Sequence, residues 1–418
     1  MNRTDPKQPV ILGYDMVSPL GTDLAAQWER AARAESGVGV LTRFPYDETF
    51  PVRIAGQVPE FDPAPYPFLA PREMAHWTSP IYRHAMLVVH RALAASGVEI
   101  TPELAPRTGI TFSTAVGGLD AVIAADRLIV KEGKSPNPFT NPNSCINMVG
   151  GKVSILTGAT GPITATITAC ATGSTSMIIG SMFLRQGIAD VVICGAVDFP
   201  LVEPIVAGFA AMNGAYKHRK DQPEEPSAAS RPFSAGRRGF VVSEGAASVI
   251  IATRAFAETH GLPWSFEIAG WGMTSDAYHF VAPNPVTVTR CVAESIAAAG
   301  IAPADISAVN AHGTSTKVGD KVEYDALSSV FGDRIPPVSA NKSLIGHAMG
   351  ASSGIESVFA LECMRRGVLL PTINHAPDPE IPIDCVPEGA RSLDQEFVLK
   401  NAFGFGGCNS CIVFRRVR

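Results

Sequence analysis

The 418-residue sequence lacks long apolar segments, and its opening residues lack the pattern of a signal peptide. No apolar run reaches the roughly 20 residues that a membrane-spanning helix needs. The opening residues, MNRTDPKQPVILGYDMVSPLG, lack the charged segment and apolar stretch of a signal peptide. The formal net charge is −5, so no overall basic field favours nucleic acid. We therefore expect a soluble, cytoplasmic protein that neither inserts into a membrane nor binds nucleic acid.

The cysteines lack the paired spacing of a zinc site. Of the eight, Cys408 and Cys411 alone form a C-x-x-C pair. That pair lies in a strand-like segment without a second pair of ligands. We therefore predict no catalytic metal and no organic cofactor, and we expect most of the cysteines to be small buried apolar residues.

Charged residues are also scarce, at 17%, whereas hydrophobic residues make up 46%, which is enough for a large core. Short apolar runs alternate with segments of helical periodicity, and this is the pattern of an α/β protein. The strand-like runs include residues 9–13, 163–168, 191–194, 247–253, 306–310 and 411–414. The helical segments include residues 79–96, 173–185, 286–299, 321–331 and 352–366. In the first of these, Ser79 is placed as the N-cap and Pro80 as the first helical residue.

The most polar interior stretch, residues 218–239, predicts a long surface loop. A strand and a helix follow it, and a division into two parts falls just after them. We therefore predict an N-terminal half, residues 1–259, and a C-terminal half, residues 260–418. The two halves share an approximate order of a first strand, a helix and a glycine-rich turn that carries a reactive residue.

Cys170 follows a threonine-rich apolar run and precedes small residues that begin a helical segment. A thiol at the N-terminus of a helix faces unpaired backbone N–H groups, which favour the thiolate and lower the thiol pKa. The neighbouring Ala169 and Ala171 leave room for a thioester. Cys170 is therefore a candidate nucleophile, and a buried structural cysteine is the alternative.

His312 and His347 each lie in a glycine-containing turn, the first after a strand-like run and the second before a helical segment. Two imidazoles near one thiol would donate hydrogen bonds to a thioester oxygen and to a developing enolate. Core or surface histidines without a catalytic role are the alternative.

Lys342 lies five residues before His347 in an apolar neighbourhood, where an unpaired ammonium is costly. Glu356, on the following helical segment, is its predicted partner. Such a pair would organise the loop that carries His347. Two solvated surface charges are the alternative.

The segment NAFGFGGCN, residues 401–409, combines glycine with aromatic bulk. Such a segment fits a loop that passes close to a ligand, where one ring can swing as a gate and the amides can donate to an oxyanion. It lacks the βαβ context of a dinucleotide-binding loop. A structural turn is the alternative.

Four segments occur together in the order found in the β-ketoacyl-[acyl-carrier-protein] synthases, namely TACATG, NAHGTST, NKSLIGHAMGASSG and NAFGFGGCN. Agreement continues through VSPLG, STAVGGL, WGMTSDAYH, VGDKVE and PTIN, so it extends over essentially the whole chain. The sequence most resembles the type II, elongating group of these enzymes.

This resemblance implies a thiolase-like fold, in which two similar halves stack their sheets between helix layers as α-β-α-β-α, usually in a homodimer. It implies that Cys170 accepts an acyl chain from an acyl-carrier protein, with the amides of Cys170 and Phe403 as the oxyanion hole. His312 and His347 then assist the decarboxylation of malonyl-carrier protein. The resulting carbanion attacks the acyl-Cys170 carbonyl, and carbon dioxide and a β-ketoacyl product leave.

The resemblance also implies roles for residues around these three. Lys342 and Glu356 would support the histidines, and Phe403 would act as a gate. Thr314 and Thr316 would contact the phosphopantetheine arm, and Val116 and Phe209 would border the acyl pocket.

The sequence departs from the family's pattern at positions that affect which acyl-carrier protein it would bind. Residues 70–86 replace a stretch rich in lysine and arginine that helps to dock the acidic carrier protein. Asn213 stands where arginine is common, and Val281 stands where threonine is expected. These differences leave open which carrier protein is used, and whether the product is a fatty acid or a polyene or polyketide.

Two other functions share this fold. A non-catalytic partner subunit, similar to a chain-length factor, normally lacks the cysteine that Cys170 supplies here. A thiolase condenses without decarboxylation and uses a second cysteine near the C-terminus, for which Cys408 or Cys411 would be a candidate. The two histidines together with Lys342 favour decarboxylating condensation. A heterodimer with a related subunit is the alternative to a homodimer.

Overall fold

The computed structural model describes residues 5–219 and 224–417. Within them the strands are β1 (Pro9–Val17), β2 (Val38–Val40), β3 (Ile54–Gly56), β4 (Thr108–Ser113), β5 (Ile163–Thr164), β6 (Val191–Asp198), β7 (Gly245–Thr253), β8 (Phe266–Ser275), β9 (Ile306–Asn310), β10 (Val338–Ser339), β11 (Val368–Leu369), β12 (Arg391–Ser392), β13 (Phe397–Gly404) and β14 (Cys408–Arg416). The helices are α1 (Leu24–Ala32), α2 (Pro71–Met74), α3 (Pro80–Ser96), α4 (Leu119–Glu132), α5 (Thr140–Ser144), α6 (Asn147–Thr157), α7 (Thr172–Gln186), α8 (Glu203–Ala211), α9 (Arg254–Thr259), α10 (Pro285–Ala298), α11 (Lys317–Phe331), α12 (Lys342–Ile345) and α13 (Met349–Arg366).

Ten of these strands form one mixed sheet, in the order β10-β9-β13-β14-β8-β1-β7-β6-β4-β5. It consists of two five-stranded sets that meet where β1 pairs antiparallel with β8. In the first set β1 and β7 are antiparallel, β7 and β6 are antiparallel, and β6, β4 and β5 are parallel. In the second set β8, β14, β13, β9 and β10 repeat the same directions in the same order. The two halves therefore have the same topology.

The alternation of side chains along each strand explains how the layers form. In β6, Val191 and Ile193 pack with α3 and α6 on one face, whereas Val192 and Cys194 pack with α7 and α13 on the other. The second set packs its outer face on α10 and α11, and its inner face also contacts α7 and α13. The result is five layers, α-β-α-β-α, so the predicted thiolase-like fold is confirmed.

The two helices of the middle layer approach each other very closely. A Cβ atom added to Gly173 in α7 would lie 2.4 Å from the backbone nitrogen of Gly354 in α13. The backbone N–H of Ser174 also donates to the hydroxyl oxygen of Ser353, at 3.0 Å. Because the contact joins the first turn of α7 to the second turn of α13, it brings the segments that precede these helices together.

Most predicted elements lie where the sequence placed them. The run 306–310 matches β9, and α13 begins three residues before the predicted start at residue 352. The run 163–168 is wrong as a strand beyond Thr164, because the next residues leave the sheet to form the turn that contains Cys170. Ser79 and Pro80 begin α3 as predicted, but the Ser79 hydroxyl donates to Asp120 instead of capping the helix.

The polar stretch 218–239 is described in part, because residues 220–223 lie outside the described residues. The remainder contains one short 3-10 turn, Pro226–Ala228, between irregular segments. The division into residues 1–259 and 260–418 stays a prediction. Among the described helices, none combines the length and the apolar composition needed to cross a membrane.

We predict that Gly173→Ala lowers the free energy of unfolding by about 1–3 kcal/mol, the usual cost of overpacking a tight core. The added methyl group would overlap the backbone of Gly354. Gly208→Ala, in α8, is the matched control, because a Cβ there meets nothing within 4 Å. Urea unfolding of both variants tests this, and an unchanged value for Gly173→Ala would contradict the tight contact.

Candidate active site

Cys170 lies in a 3-10 turn, Ala169–Ala171, between β5 and the start of α7. Ala169 adopts a left-handed conformation, with a φ of 47°, and this orients the turn toward the end of β13. There Gly404 lies so close that a Cβ on it would be 2.3 Å from the carbonyl oxygen of Thr168. The Cys170 side chain is buried, so its thiol lies inside the protein, between the two halves.

His347 lies in the turn between α12 and α13, and its ring faces the thiol. The Nε2 atom is 3.1 Å from Cys170 Sγ, and the Nδ1 atom is 2.9 Å from Ser352 Oγ. A hydroxyl group can donate or accept, so Ser352 fits either tautomer of His347. This arrangement allows the imidazole to accept the thiol proton.

His312 lies directly after β9, and its backbone is held by a buried carboxylate. The amides of His312 and Gly313 each donate to Glu323, at 2.8 Å. The His312 ring is 5.8 Å from the His347 ring and nearly perpendicular to it. The Cys170 sulfur and one ring nitrogen of each histidine lie within 4.8 Å of one another. The structure therefore brings together all three residues that the sequence selected.

Lys342 and Glu356 form the ion pair that the sequence predicted, and both side chains are buried. The Lys342 ammonium contacts Glu356 Oε1, donates to the His312 carbonyl oxygen at 2.7 Å, and lies 3.5 Å from His312 Nδ1. The alternative of two solvated surface charges is wrong. Because the Lys342 ammonium can donate to Nδ1, a neutral His312 carries its own proton on Nε2.

Burial determines the electrostatics of the site. It lowers the pKa of His312 and of His347 well below the usual value, and the Lys342 ammonium lowers both further. It also raises the pKa of Cys170 to about 11, although Lys342 acts in the opposite direction. The expectation of a lowered thiol pKa at a helix N-terminus is therefore wrong, because desolvation of the thiolate outweighs the neighbouring positive charge. At neutral pH the thiol and both imidazoles are uncharged.

The glycine-rich segment passes directly over the cysteine. The backbone amide of Phe405 hydrogen-bonds the Cys170 thiol. The resemblance implied a different role, that of oxyanion donor, for the nearby Phe403 amide. The Phe403 ring is buried and packs edge-on against His312, with ring centres 5.7 Å apart. The ring of Phe405 is partly exposed and packs in an apolar cluster with Phe240 and Met349.

A cavity of about 630 Å³ leads to the three reactive groups. Thr314 and Thr316 line it, with their hydroxyl oxygens 2.9 Å apart, and so do the two family departures, Asn213 and Val281. Val116 and Phe209 are partly buried in the apolar cluster that contains Met349 and Phe405. Both predicted pocket residues thus pack with two residues that line the cavity.

Three further polar residues of the site escaped the sequence reasoning. Glu323 holds the His312 loop, as described above. Asp198, at the end of β6, accepts hydrogen bonds from the amides of Val116 and Gly350, at 2.9 and 2.8 Å. Lys400, in β13, forms a salt bridge with Glu356 at 2.7 Å. Asp198 ends the apolar run of β6 and Lys400 interrupts that of β13, and this local contrast was the available signal for both. Glu323 lies among the charged residues of α11, so it had no such signal.

The sequence matches two family models over most of its length. The model described as "Beta-ketoacyl synthase, N-terminal domain" covers residues 7–257, and "Beta-ketoacyl synthase, C-terminal domain" covers residues 265–376. The 3-oxoacyl-[acyl-carrier-protein] synthase 2 of Coxiella burnetii (strain RSA 493 / Nine Mile phase I) is 36% identical in an alignment of 417 residues that covers 98% of this chain and 99% of that protein.

Solved structures agree with this match. A β-ketoacyl synthase from Burkholderia phymatum STM815 has a TM-score of 0.90 at 30% identity, covering 98% of this chain and 100% of that one. The AntDE:AntF complex is a type II PKS acyl-carrier protein with its ketosynthase bound to the hexaketide. Its matching chain has a TM-score of 0.89 at 26% identity, covering 99% of this chain and 100% of that one.

A thiolase-like fold with a buried cysteine and two histidines between its halves defines a condensing enzyme. The chain belongs to the β-ketoacyl synthase family. Its three reactive atoms are close enough for one ion to bridge them, but the reaction proposed below requires all three to be free, so we assign no metal there.

Because burial raises the pKa of Cys170 to about 11, we predict that its alkylation by iodoacetamide accelerates with pH through the alkaline range. Mass spectrometry of the Cys170 peptide gives the rate, and the exposed Cys145 in the same digest serves as the reference thiol. A rate that levels off below about pH 8, as for an activated thiolate, would contradict the dominance of burial.

Proposed function

We propose that this chain catalyses a decarboxylating Claisen condensation between an acyl group held on Cys170 and malonyl-acyl-carrier protein, giving β-ketoacyl-carrier protein. The observation that supports it most is the 3.1 Å contact of Cys170 Sγ with His347 Nε2, with the His312 ring beside it. Cys170 is thus a nucleophile with an adjacent base, His347, and His312 is a separate hydrogen-bond donor. The reaction serves fatty-acid elongation or a related polyene or polyketide pathway.

In the first step the thiol attacks the carbonyl carbon of an acyl-carrier thioester. The thiol proton passes to His347 Nε2 as the new C–S bond forms, and the oxyanion faces the amides of Cys170 and Phe405. The old C–S bond then breaks, and the departing carrier thiolate takes that proton. Since the thiol and imidazole both start uncharged, no isolated charge has to be buried before the attack.

In the second step malonyl-carrier protein places its thioester oxygen against His312 and His347. The bond to the carboxylate carbon breaks, carbon dioxide leaves, and the electron pair forms an enolate whose oxygen accepts a hydrogen bond from Nε2 of each histidine. His347 acts here as the tautomer with its proton on Nε2, which the Ser352 hydroxyl allows by donating to Nδ1. The enolate carbon attacks the acyl carbonyl on Cys170. The Cys170 thiolate is expelled and takes a proton from solvent. Lys342, fixed by Glu356, holds His312 as a donor at Nε2.

The remaining predicted residues fit the path of the substrate. Thr314 and Thr316 present hydroxyl groups along the cavity, where they would contact the phosphopantetheine arm. Val116 and Phe209 would border the acyl chain beyond the thiol, and Phe403 would control access from its place against His312. A non-catalytic chain-length-factor role is disfavoured, because Cys170, both histidines and the supporting ion pair are all present.

We also propose that the enzyme is a homodimer that acts in the cytoplasm. Strand β5 is at the edge of the sheet and is very short. Ile163 in β5, Ile155 in the adjacent α6 and Ile167 are exposed large apolar side chains. An apolar edge of this kind fits an interface between two copies of the chain.

We predict that Cys170→Ala retains its fold but forms no acyl-enzyme, because no nucleophile remains. His312→Ala should lower condensation by about 100-fold or more, the scale of losing one oxyanion donor, while acylation falls less. The reason is that His347, not His312, contacts the thiol. Mass spectrometry with acyl-carrier proteins, followed by malonyl-carrier protein, measures both steps.

Cys145→Ala, which removes an exposed thiol, is the control for both variants. Acyl transfer by Cys170→Ala would refute the proposed function. Equal losses of acylation and condensation in His312→Ala would refute the division between the two histidines.

We predict that Ile163→Lys converts the dimer into a monomer, because a lysine at the apolar edge would lose its hydration in the interface. Sedimentation velocity measures the mass in solution. Val40→Lys, another exposed apolar position, should remain dimeric. A monomeric wild-type protein would contradict the homodimer and favour a heterodimer with a related subunit.

A further inference from the structure

One buried cation in this site has no part in the reaction as written. Lys400 lies in β13, in the otherwise apolar run FVLKNAF, and its side chain is 0% exposed. Its ammonium donates to Glu356 Oε2 at 2.7 Å and to the carbonyl oxygen of Asn401. An ammonium in the core is stable only when it is paired, so Glu356 is what allows a lysine at this position.

Glu356 therefore lies between two ammonium groups, one on each carboxylate oxygen. Oε1 contacts Lys342, and Oε2 contacts Lys400. With both oxygens occupied, the carboxylate cannot turn away from Lys342. Lys342 in turn contacts the backbone carbonyl and the Nδ1 atom of His312. A chain of contacts thus runs from Lys400 to a reactive histidine.

A second carboxylate explains why one lysine is not enough. Glu323 is buried beside this cluster, and it accepts hydrogen bonds from the amides of His312 and Gly313 and from the Asn401 side chain. The four residues that contact one another or the His312 backbone, namely Glu323, Glu356, Lys342 and Lys400, are two carboxylates and two ammonium groups. Without Lys400 this set would contain two carboxylates and one ammonium group.

We propose that Lys400 is a positioning residue of the condensation site, which holds Glu356 on Lys342 and thereby keeps His312 oriented for the enolate. This inference rests on the proposed function. It assigns Lys400 no contact with the substrate, because its ammonium contacts Glu356 and the Asn401 carbonyl oxygen and does not line the cavity.

The charge of Lys400 supports the same role. The pKa of each reactive histidine is lowered first by burial, and both Lys342 and Lys400 lower it further. Removing the Lys400 charge therefore raises the pKa of His312 and His347, so that they become protonated at higher pH. The ionisable groups around the two rings come from six elements and are Cys170, Asp198, Asp320, Glu323, Lys342, Glu356 and Lys400.

The test compares Lys400→Met, which removes the charge, with Lys400→Arg, which keeps it. In Lys400→Met we expect kcat for condensation to fall about 10- to 100-fold, the scale of a misplaced catalytic group, with KM for malonyl-carrier protein nearly unchanged. The acidic limb of the pH–kcat profile should move upward by about one pH unit, as when a nearby positive charge is lost. In Lys400→Arg the midpoint of that limb should return toward the wild-type value.

Arg254→Met is the matched control, because Arg254 is a buried cation paired with Glu267 at 2.7 Å, away from this cluster. It should lower the melting temperature without moving the pH profile. NMR of isotope-labelled histidines follows the protonation of His312 and His347 without any substrate. The NMR measurement therefore tests this inference independently of the proposed function. If the proposed function is wrong, the wild-type protein will not catalyse the condensation, whatever the NMR measurement shows.

An unmoved acidic limb in folded Lys400→Met would overturn the proposal. So would a loss of activity that follows thermal stability alone, as in Arg254→Met. If both Lys400 variants are recovered only as aggregates, Lys400 is required for the fold itself and the narrower assignment to His312 is wrong.

Discussion

The contact between α7 and α13 brings the nucleophile and its base together, because each helix begins beside one reactive side chain. Cys170 lies just before α7, and His347 lies just before α13. The two backbones can approach only because Gly173 has no side chain, since a Cβ there would lie 2.4 Å from the backbone nitrogen of Gly354. A Cβ at this point would separate the helices, and with them the sulfur and the imidazole nitrogen. A very close backbone contact in the middle layer therefore lies next to the reactive atoms.

The repeated topology explains why the residues of one site come from distant parts of the chain. Cys170 follows the outermost strand of the first half, β5, and His347 follows the outermost strand of the second half, β10. His312 follows β9, whose counterpart β4 leads to the loop of Val116. Because the two sets of strands face each other across α7 and α13, corresponding ends of both halves meet at one cavity.

Burial has opposite effects on the groups at this meeting point, and both effects favour uncharged forms. It raises the pKa of the Cys170 thiol and lowers the pKa of each histidine. The charges that remain inside are paired, as Lys342 and Lys400 are with Glu356. Proton transfer from the thiol to His347 then covers a short distance in surroundings that are already organised.

The α/β class, the order of the motifs and the pair of Lys342 with Glu356 could all be predicted from the sequence, because each leaves a local signal. Cys170, His312 and His347 are reactive residues in turns of small residues, and the structure brings them together. Whether Phe403 or Phe405 presents its amide to the sulfur could not be predicted, because both lie in the same glycine-rich segment and only the path of β13 past Cys170 selects one.

Tertiary structure also determined the direction of the Cys170 pKa shift and the partner of Lys400. A helix N-terminus can be recognised from neighbouring residues, but desolvation comes from side chains that are far away in the sequence. Lys400 likewise pairs with Glu356, which lies 44 residues earlier in the sequence. The sequence alone therefore determined which groups can react, whereas their protonation depends on what surrounds them after folding, since burial and pairing arise only when the two halves pack together.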